Sequence, residues 1–282
     1  MKNTYKQFTG ILLVANMTLI SCYSPRYVFA PSTQNIPLLN RKNDLEVSGA
    51  YSGSLNALDD KGDSYNGADV QAAWAITDHL AAIFGESIHW EKNTGNDTYY
   101  AGDTSVLSYK RHFTEIGIGY YSPVNFNPRM KFQVFGGAAF GAFDINDQYT
   151  SNGIVEDKYH NSRPVKIFLQ PSITYRLFKN SWCTFSSRIT AVIFRKINTN
   201  YNAVELDNYI LDSLTVSPVY FWEPSVNYTL AFEKLPLKLR LQGSLAILIN
   251  HRFIQHRTGN IALGIVADFP KKRIHIKDRG SN

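Results

Sequence analysis

The sequence predicts an all-β chain folded as an antiparallel, up-and-down transmembrane β-barrel of about ten strands. Two-residue alternation is the first observation: Ile261, Leu263, Ile265, Ala267 and Phe269 alternate with Asn260, Ala262, Gly264 and Asp268. Successive strand side chains point to opposite faces, so such a segment has one apolar and one polar face. The pattern recurs along the chain with alternately short and long connections, as the periplasmic turns and outer loops of a membrane barrel require. The third observation is an amino-terminal segment with the form of an export signal. A soluble, lipocalin-type barrel would turn its apolar phase inward and carry Lys and Glu outside. Here the polar phase is Ser, Thr, Gln, Gly and Ala with a few mid-strand Arg and Glu, and Trp and Tyr sit in the apolar phase near strand ends.

Taken in order, Lys2 and Lys6 precede an apolar run from Ile11 to Ile20, too short to span a bilayer but right for a secretory signal over residues 1–21. The run ends Leu19-Ile20-Ser21-Cys22, which resembles the lipobox of bacterial lipoproteins. That resemblance implies acylation of Cys22 and cleavage before it. Cys183, the other cysteine, then stands as a lone strand thiol, because an acylated thiol cannot pair. Residues 22–43 contain Pro25, Pro31 and Pro37 and no periodicity, and read as an extended tether. Cys22-Tyr23-x-Pro25, then Pro37-Leu38, then a strand opening near Glu46 resembles lipidated outer-membrane barrels of Bacteroidota. So do Trp74-Ala75-Ile76-Thr77-Asp78-His79-Leu80 and Gly117-Ile118-Gly119-Tyr120-Tyr121. The resemblance implies an outer-membrane protein with a lipid-anchored amino terminus and no assigned reaction. Surface-exported lipoproteins of that group tend to carry an acidic cluster directly after the cysteine; none follows Cys22, so the resemblance implies a tether in the periplasm.

The barrel is expected over 44–269. Strands are read at 44–55, 67–76, 80–91, 105–121, 130–142, 164–176, 183–195, 215–231, 237–249 and a last one ending on Phe269 before Pro270. Short turns fall near 78, 125, 180 and 235, and the polar stretches 92–103, 144–163, 197–213 and 250–258 read as loops. The facing of 80–91 stays open, because Glu86 shares the phase of Leu80, Phe84 and Trp90. An even strand number puts both barrel ends on the short-turn side, and the basic stretch Lys271, Lys272, Arg273, His275 and Lys277 then belongs to a solvated periplasmic tail, 270–282.

A ten-stranded barrel lies just above the size that side chains fill unaided. Asp69, Arg111, Glu115, Arg176, Arg188, Glu223 and Arg240, with Gln71, Gln133, Gln170 and Gln242, are assigned to the lumen. Arginine forks matched to carboxylates would form a charge network and plug it. The net charge of +6 is mild and sits on no nucleic-acid-binding motif. Rim residues Asp97, Asp103, Asp144, Asp147, His160, Asp207 and Asp212 match no hydrolase motif, and His251, His256 and His160 show no zinc spacing. No cofactor or metal is expected. Tyr99, Tyr100, Tyr149, Tyr159, Tyr201 and Tyr209 among Asn and Asp suit either a recognition surface or ordinary loops above an aromatic girdle. The expected function is a non-enzymatic outer-membrane lipoprotein with a structural or surface-binding role. The alternatives are a narrow channel for small polar solutes or ions and, further off, a membrane-embedded hydrolase. Expected partners are outer-membrane lipids and the barrel assembly machinery.

Overall fold

A computed structural model describes residues 26–53, 64–95, 104–124, 127–151, 154–250 and 254–269. The described strands are β1 (Leu45–Gly53), β2 (Ser64–Ala75), β3 (Leu80–Gly95), β4 (Thr104–Val124), β5 (Asn127–Ser151), β6 (Ile154–Ser162), β7 (Val165–Phe178), β8 (Ser181–Ile193), β9 (Asn198–Thr199), β10 (Val219–Ala231), β11 (Leu237–Leu245), β12 (Ile247–Leu248) and β13 (Gly259–Phe269), and all but β6, β9 and β12 form a closed wall of ten. Each pairs antiparallel with its neighbours, and β13 returns to β1 with Phe269 opposite Leu45. Closure leaves no strand edge, which hydrocarbon demands because it offers no hydrogen bonds to free backbone groups.

The facing follows the alternation. In β10, Tyr220, Trp222, Val226 and Tyr228 are exposed outward, while Phe221, Glu223, Ser225, Asn227 and Thr229 are buried inward. In β11, Leu239, Leu241 and Leu245 face out against buried Lys238, Arg240, Gln242 and Ser244. The phase of β3 is also defined: Leu80, Phe84, Ile88 and Trp90 point outward with Glu86, and Ile83, His89 and Glu91 inward. Glu86 is accommodated on the apolar face because it bonds His112 of the adjacent β4.

Three expectations are corrected. The stretch 144–163 is mostly not loop: β5 runs on to Ser151 and pairs with β6 (Ile154–Ser162), Phe143 opposite Ser162. This hairpin lies beyond the wall shared with β7, and β9 (Asn198–Thr199) adds to its edge. The stretch 197–213 contains a helical turn, α1 (Ala203–Asn208), started by a capping box in which Asn202 accepts from the Glu205 amide and Glu205 accepts from the Asn202 amide. The third correction is the largest. Of residues 22–43, expected as a periplasmic tether, 26–39 run inside the barrel, with Arg26, Val28, Phe29, Ala30, Gln34, Asn35, Ile36, Leu38 and Leu39 buried.

Two apolar cores surround this segment. The one at the long-loop end joins Val28 and Phe29 to Leu107, Tyr109, Phe143, Ile145, Phe194, Leu211, Leu214, Phe221 and Ile254. Beside the short turns, Leu39 packs with Ala73, Ala75, Ala81, Ile83, Tyr121, Phe135 and Phe168. Residues 1–25, with the expected signal and Cys22, lie outside the described residues, as do Asp97, Tyr99, Tyr100, Asp103, His251 and residues 270–282, expected as a basic tail.

Candidate functional site: the filled lumen

An extended chain inside a barrel has no partner strand, so its backbone polar groups must find side chains or cost several kcal/mol each. The wall supplies them in order. Gln71 donates to the carbonyl of Thr33 (3.0 Å), Gln170 to that of Asn35 (2.9 Å), Gln133 to that of Pro37 (2.7 Å) and Lys131 to that of Leu39 (3.0 Å). Alternate carbonyls of one strand point the same way, yet these donors stand on β2, β7 and β5. The segment therefore sits at the centre of the wall's reach and not against one side. Its own side chains answer: Asn35 Nδ2 donates to the carbonyls of Ala72 and Phe84, and Gln34 Nε2 to that of Glu223 at 2.7 Å. At the long-loop end, Arg111 Nη2 donates to the Tyr27 carbonyl (2.6 Å), and the Arg257 amide donates to that of Phe29 (2.8 Å).

The charges are arranged in layers around the segment. Nearest the long loops, Arg26 Nη2 meets Asp147 Oδ2 at 2.7 Å, and its guanidinium lies 3.9 Å over the Tyr209 ring. Tyr201 donates to the same carboxylate oxygen at 3.0 Å. Below, Glu91 accepts from Arg111 Nη1 (2.9 Å) and Arg257 Nε (2.8 Å). In the middle, Arg188 makes a fork to Glu115 at 2.9 and 3.1 Å and also donates to Gln170 Oε1. Glu223 accepts from Thr190 in the same layer. Close to the short turns, Glu46 accepts from Arg240 (2.7 Å), Lys238 (3.1 Å) and the Leu38 amide (3.1 Å). Each pairing offsets a desolvation penalty of several kcal/mol per ion, and charge-assisted forks offset it best.

Of the lumen residues assigned from sequence, Arg111, Glu115, Arg188, Glu223 and Arg240 enter these layers. Asp69 stands apart with Ser52 and His89. Arg176 is corrected: it keeps the inward phase but lies at the end of β7, exposed, donating to the Lys179 carbonyl of the hairpin turn. Missing from that assignment were Glu46, Glu91, Lys166, Lys238, Arg257 and the contributions of the segment itself. Phase identifies Glu46 and Lys238, which alternate with outward Val47 and Leu239; Arg26 and Gln34 carry no periodic signal.

Two cavities flank Gln71 and Thr33. One of about 10 Å³ is lined by Ser48, Arg240, Gln242 and Ala262 as well, and one of about 20 Å³ by Asp69, Glu115 and Lys166. Each has room for about one water. The side chains of buried Asn227, Asn260 and Ser244 and the Gln242 amide nitrogen have no partner among the described residues, and Gln242 lines the smaller cavity.

Ser52, His89 and Asp69 converge although no Ser/His spacing suggested it. Ser52 Oγ lies 3.3 Å from His89 Nε2, and Asp69 Oδ2 lies 3.4 Å from that same nitrogen. Tyr65 holds Nδ1 at 3.1 Å. A hydrolytic triad puts the base's orienting carboxylate on the nitrogen away from the nucleophile. Here serine and carboxylate share one nitrogen, and all three groups are buried. Gly67 opens the space: a Cβ there would stand 1.8 Å from His89 Cδ2.

The rim residues do not gather either. Asp147 is committed to Arg26, Asp144 pairs with Arg163 at 3.2 Å, and Asp207 sits on α1. His160 is fully buried on β6, neither ring nitrogen has a partner among the described residues, and burial pushes its pKa down to about 4. Among the described residues no three His, Cys, Asp or Glu side chains are grouped to hold a metal ion. Tyr201 and Tyr209 are turned inward around Arg26, edge to face at 5.3 Å.

An apolar exterior around a closed wall and a packed, charged interior define a membrane-spanning barrel with a filled lumen. No family model matches the sequence, and no curated protein matches it. Among solved structures, the chain is similar to the outer membrane protease OmpT of Escherichia coli at TM-score 0.39 and 8% identity, covering 84% of this chain and 98% of that one. The translocator domain of the autotransporter NalP from Neisseria meningitidis is similar at TM-score 0.39 and 10% identity, over 95% and 97% of the two chains. An outer membrane channel from Pseudomonas putida F1 is similar at 0.37 and 10%, over 84% and 100%.

Proposed function

We propose that this chain is a non-enzymatic outer-membrane β-barrel lipoprotein with a structural or surface-binding role, its lumen closed by its own amino-terminal segment. The single observation that carries this reading is the run of wall donors to the carbonyls of Thr33, Asn35, Pro37 and Leu39. Among the described residues, a segment bonded at every second residue and packed at both ends fills the lumen, which supports a barrel closed to solutes. The lipobox-like Leu19-Ile20-Ser21-Cys22 supports acylation of Cys22, for which mass spectrometry of the mature amino-terminal peptide, wild type against Cys22→Ser, is the check. Outer-membrane lipids and the barrel assembly machinery are the partners this reading calls for.

The test is conductance in planar bilayers. Wild-type protein is expected to give no steady ohmic channel. Replacing residues 27–39 by a Gly/Ser stretch of equal length is expected to open one, since ten strands enclose more space than their own side chains fill. Steady channels from the wild type would overturn the reading in favour of a narrow pore. The unpartnered Asn227, Asn260 and Ser244 are the feature that favours that second reading.

A further inference from the structure

We propose that the chain leading into Arg26 lies on the same side of the membrane as the long connections, opposite the short hairpin turns. This rests on the reading of the barrel as membrane-spanning. It reverses the periplasmic placement that the sequence alone suggested.

The segment descends the lumen in one direction. Arg26 is held by Asp147 on the far part of β5 that pairs with β6, and by Tyr201 and Tyr209 beside α1. Phe29 pairs with His256 in the connection between β12 (Ile247–Leu248) and β13. Thr33 and Asn35 meet the mid-wall glutamines. Leu38 reaches Glu46 in the first turn of pairing of β1, and Lys42 donates to Asp78 in the short turn between β2 and β3. From there the chain reverses into β1.

Reach then decides where the preceding residues lie. From Cys22 to Arg26 is four residues, at most ~14 Å of extended chain. The apolar band of an outer-membrane barrel is ~25 Å tall. Even stretched straight down, those residues fall short of the far side, and the lumen beneath Arg26 is already occupied by the segment itself. Cys22 is thus confined to the long-loop half of the molecule. Acyl chains on it belong to the leaflet on that side, the outer leaflet if the long loops face outward.

The experiment uses full-length protein with a hydrophilic epitope inserted between Ser24 and Pro25. Reference epitopes stand beside Glu156 on the β5–β6 hairpin and beside Lys234 in the β10–β11 turn. Antibody binding is compared on intact and outer-membrane-permeabilised cells. The amino-terminal epitope is expected to follow the Glu156 one, read at equal strength before and after permeabilisation, while the Lys234 one is read only after. An amino-terminal epitope that follows Lys234 overturns the proposal. Should the two reference epitopes exchange sides while the amino-terminal one still follows Glu156, the assumed membrane orientation fails and this proposal stands. If the insertion disturbs assembly, Ser24→Cys in a Cys183→Ser background gives the same comparison with an impermeant maleimide, scored against total thiol after denaturation. An acylated Cys22 takes no maleimide, so the Ser24→Cys thiol is the reporter.

Discussion

The Arg188 fork shows what single residues contribute. Arg188 of β8 bonds Gln170 of the neighbouring β7 and Glu115 of β4, so one guanidinium ties three strands together. Arg188→Met removes the cation and leaves Glu115 half-desolvated. The expected loss is roughly 3–5 kcal/mol, as for other broken buried pairs. Glu115→Leu combined with Arg188→Met removes both charges and is expected to recover most of it. Urea unfolding of the refolded protein in lipid vesicles checks both, and a double variant as unstable as the single one would mean the fork itself holds the fold. This pair was legible from sequence because Glu115 and Arg188 both fall mid-strand in a polar phase. Arg176 has the same phase and the wrong depth: alternation gives the face a side chain occupies, not its height along the barrel.

Among the elements, the wall was legible and the plug was not, for physical reasons. Strand periodicity is local and enforced by hydrocarbon on one side, so β11 and β13 announce themselves. Beyond the bilayer that enforcement ends. The β5–β6 hairpin keeps its inward Phe143, Ile145 and Asp147 but has polar residues outward, and so resembles loop. Residues 26–39 have no period because the barrel surrounds them on all sides. Their signal was compositional: Val28-Phe29-Ala30 and Ile36-Pro37-Leu38-Leu39 are apolar for a tether in water. The β6 hairpin also carries a pH dependence. His160 has a folded pKa of about 4 against an ordinary 6.5, so between those values the unfolded hairpin binds a proton that the folded one excludes. Stability conferred there is complete above pH 6.5 and declines as the pH falls towards 4. Amide hydrogen exchange in β6, corrected for intrinsic rates, is expected to speed up from pH 7 to pH 4.5, and His160→Leu is expected to flatten the change. Equal protection at both pH values in the wild type would refute it.

The whole molecule is an inside-out solution to burial: apolar side chains cover the exterior, and the interior is held by paired charges and by residues 26–39 of the chain itself. On that exterior one ionisable pair stands out. Glu86 and His112 bond each other on the outward face of β3 and β4, among Phe84, Ile88 and Ile116. An unpartnered ionisable group facing hydrocarbon is costly, Glu less so than the roughly 2–4 kcal/mol found for Lys or Arg at mid-bilayer. If lipid surrounds this face, His112→Leu leaves Glu86 without its partner and lowers stability in vesicles, and adding Glu86→Leu restores it to or above the wild type. The same variants in a soluble setting would behave oppositely, since two new exposed leucines gain nothing from water. Vesicle unfolding midpoints in which the double leucine variant is less stable than His112→Leu alone would therefore argue against hydrocarbon at this wall, and with it against the membrane-spanning reading on which the filled lumen depends.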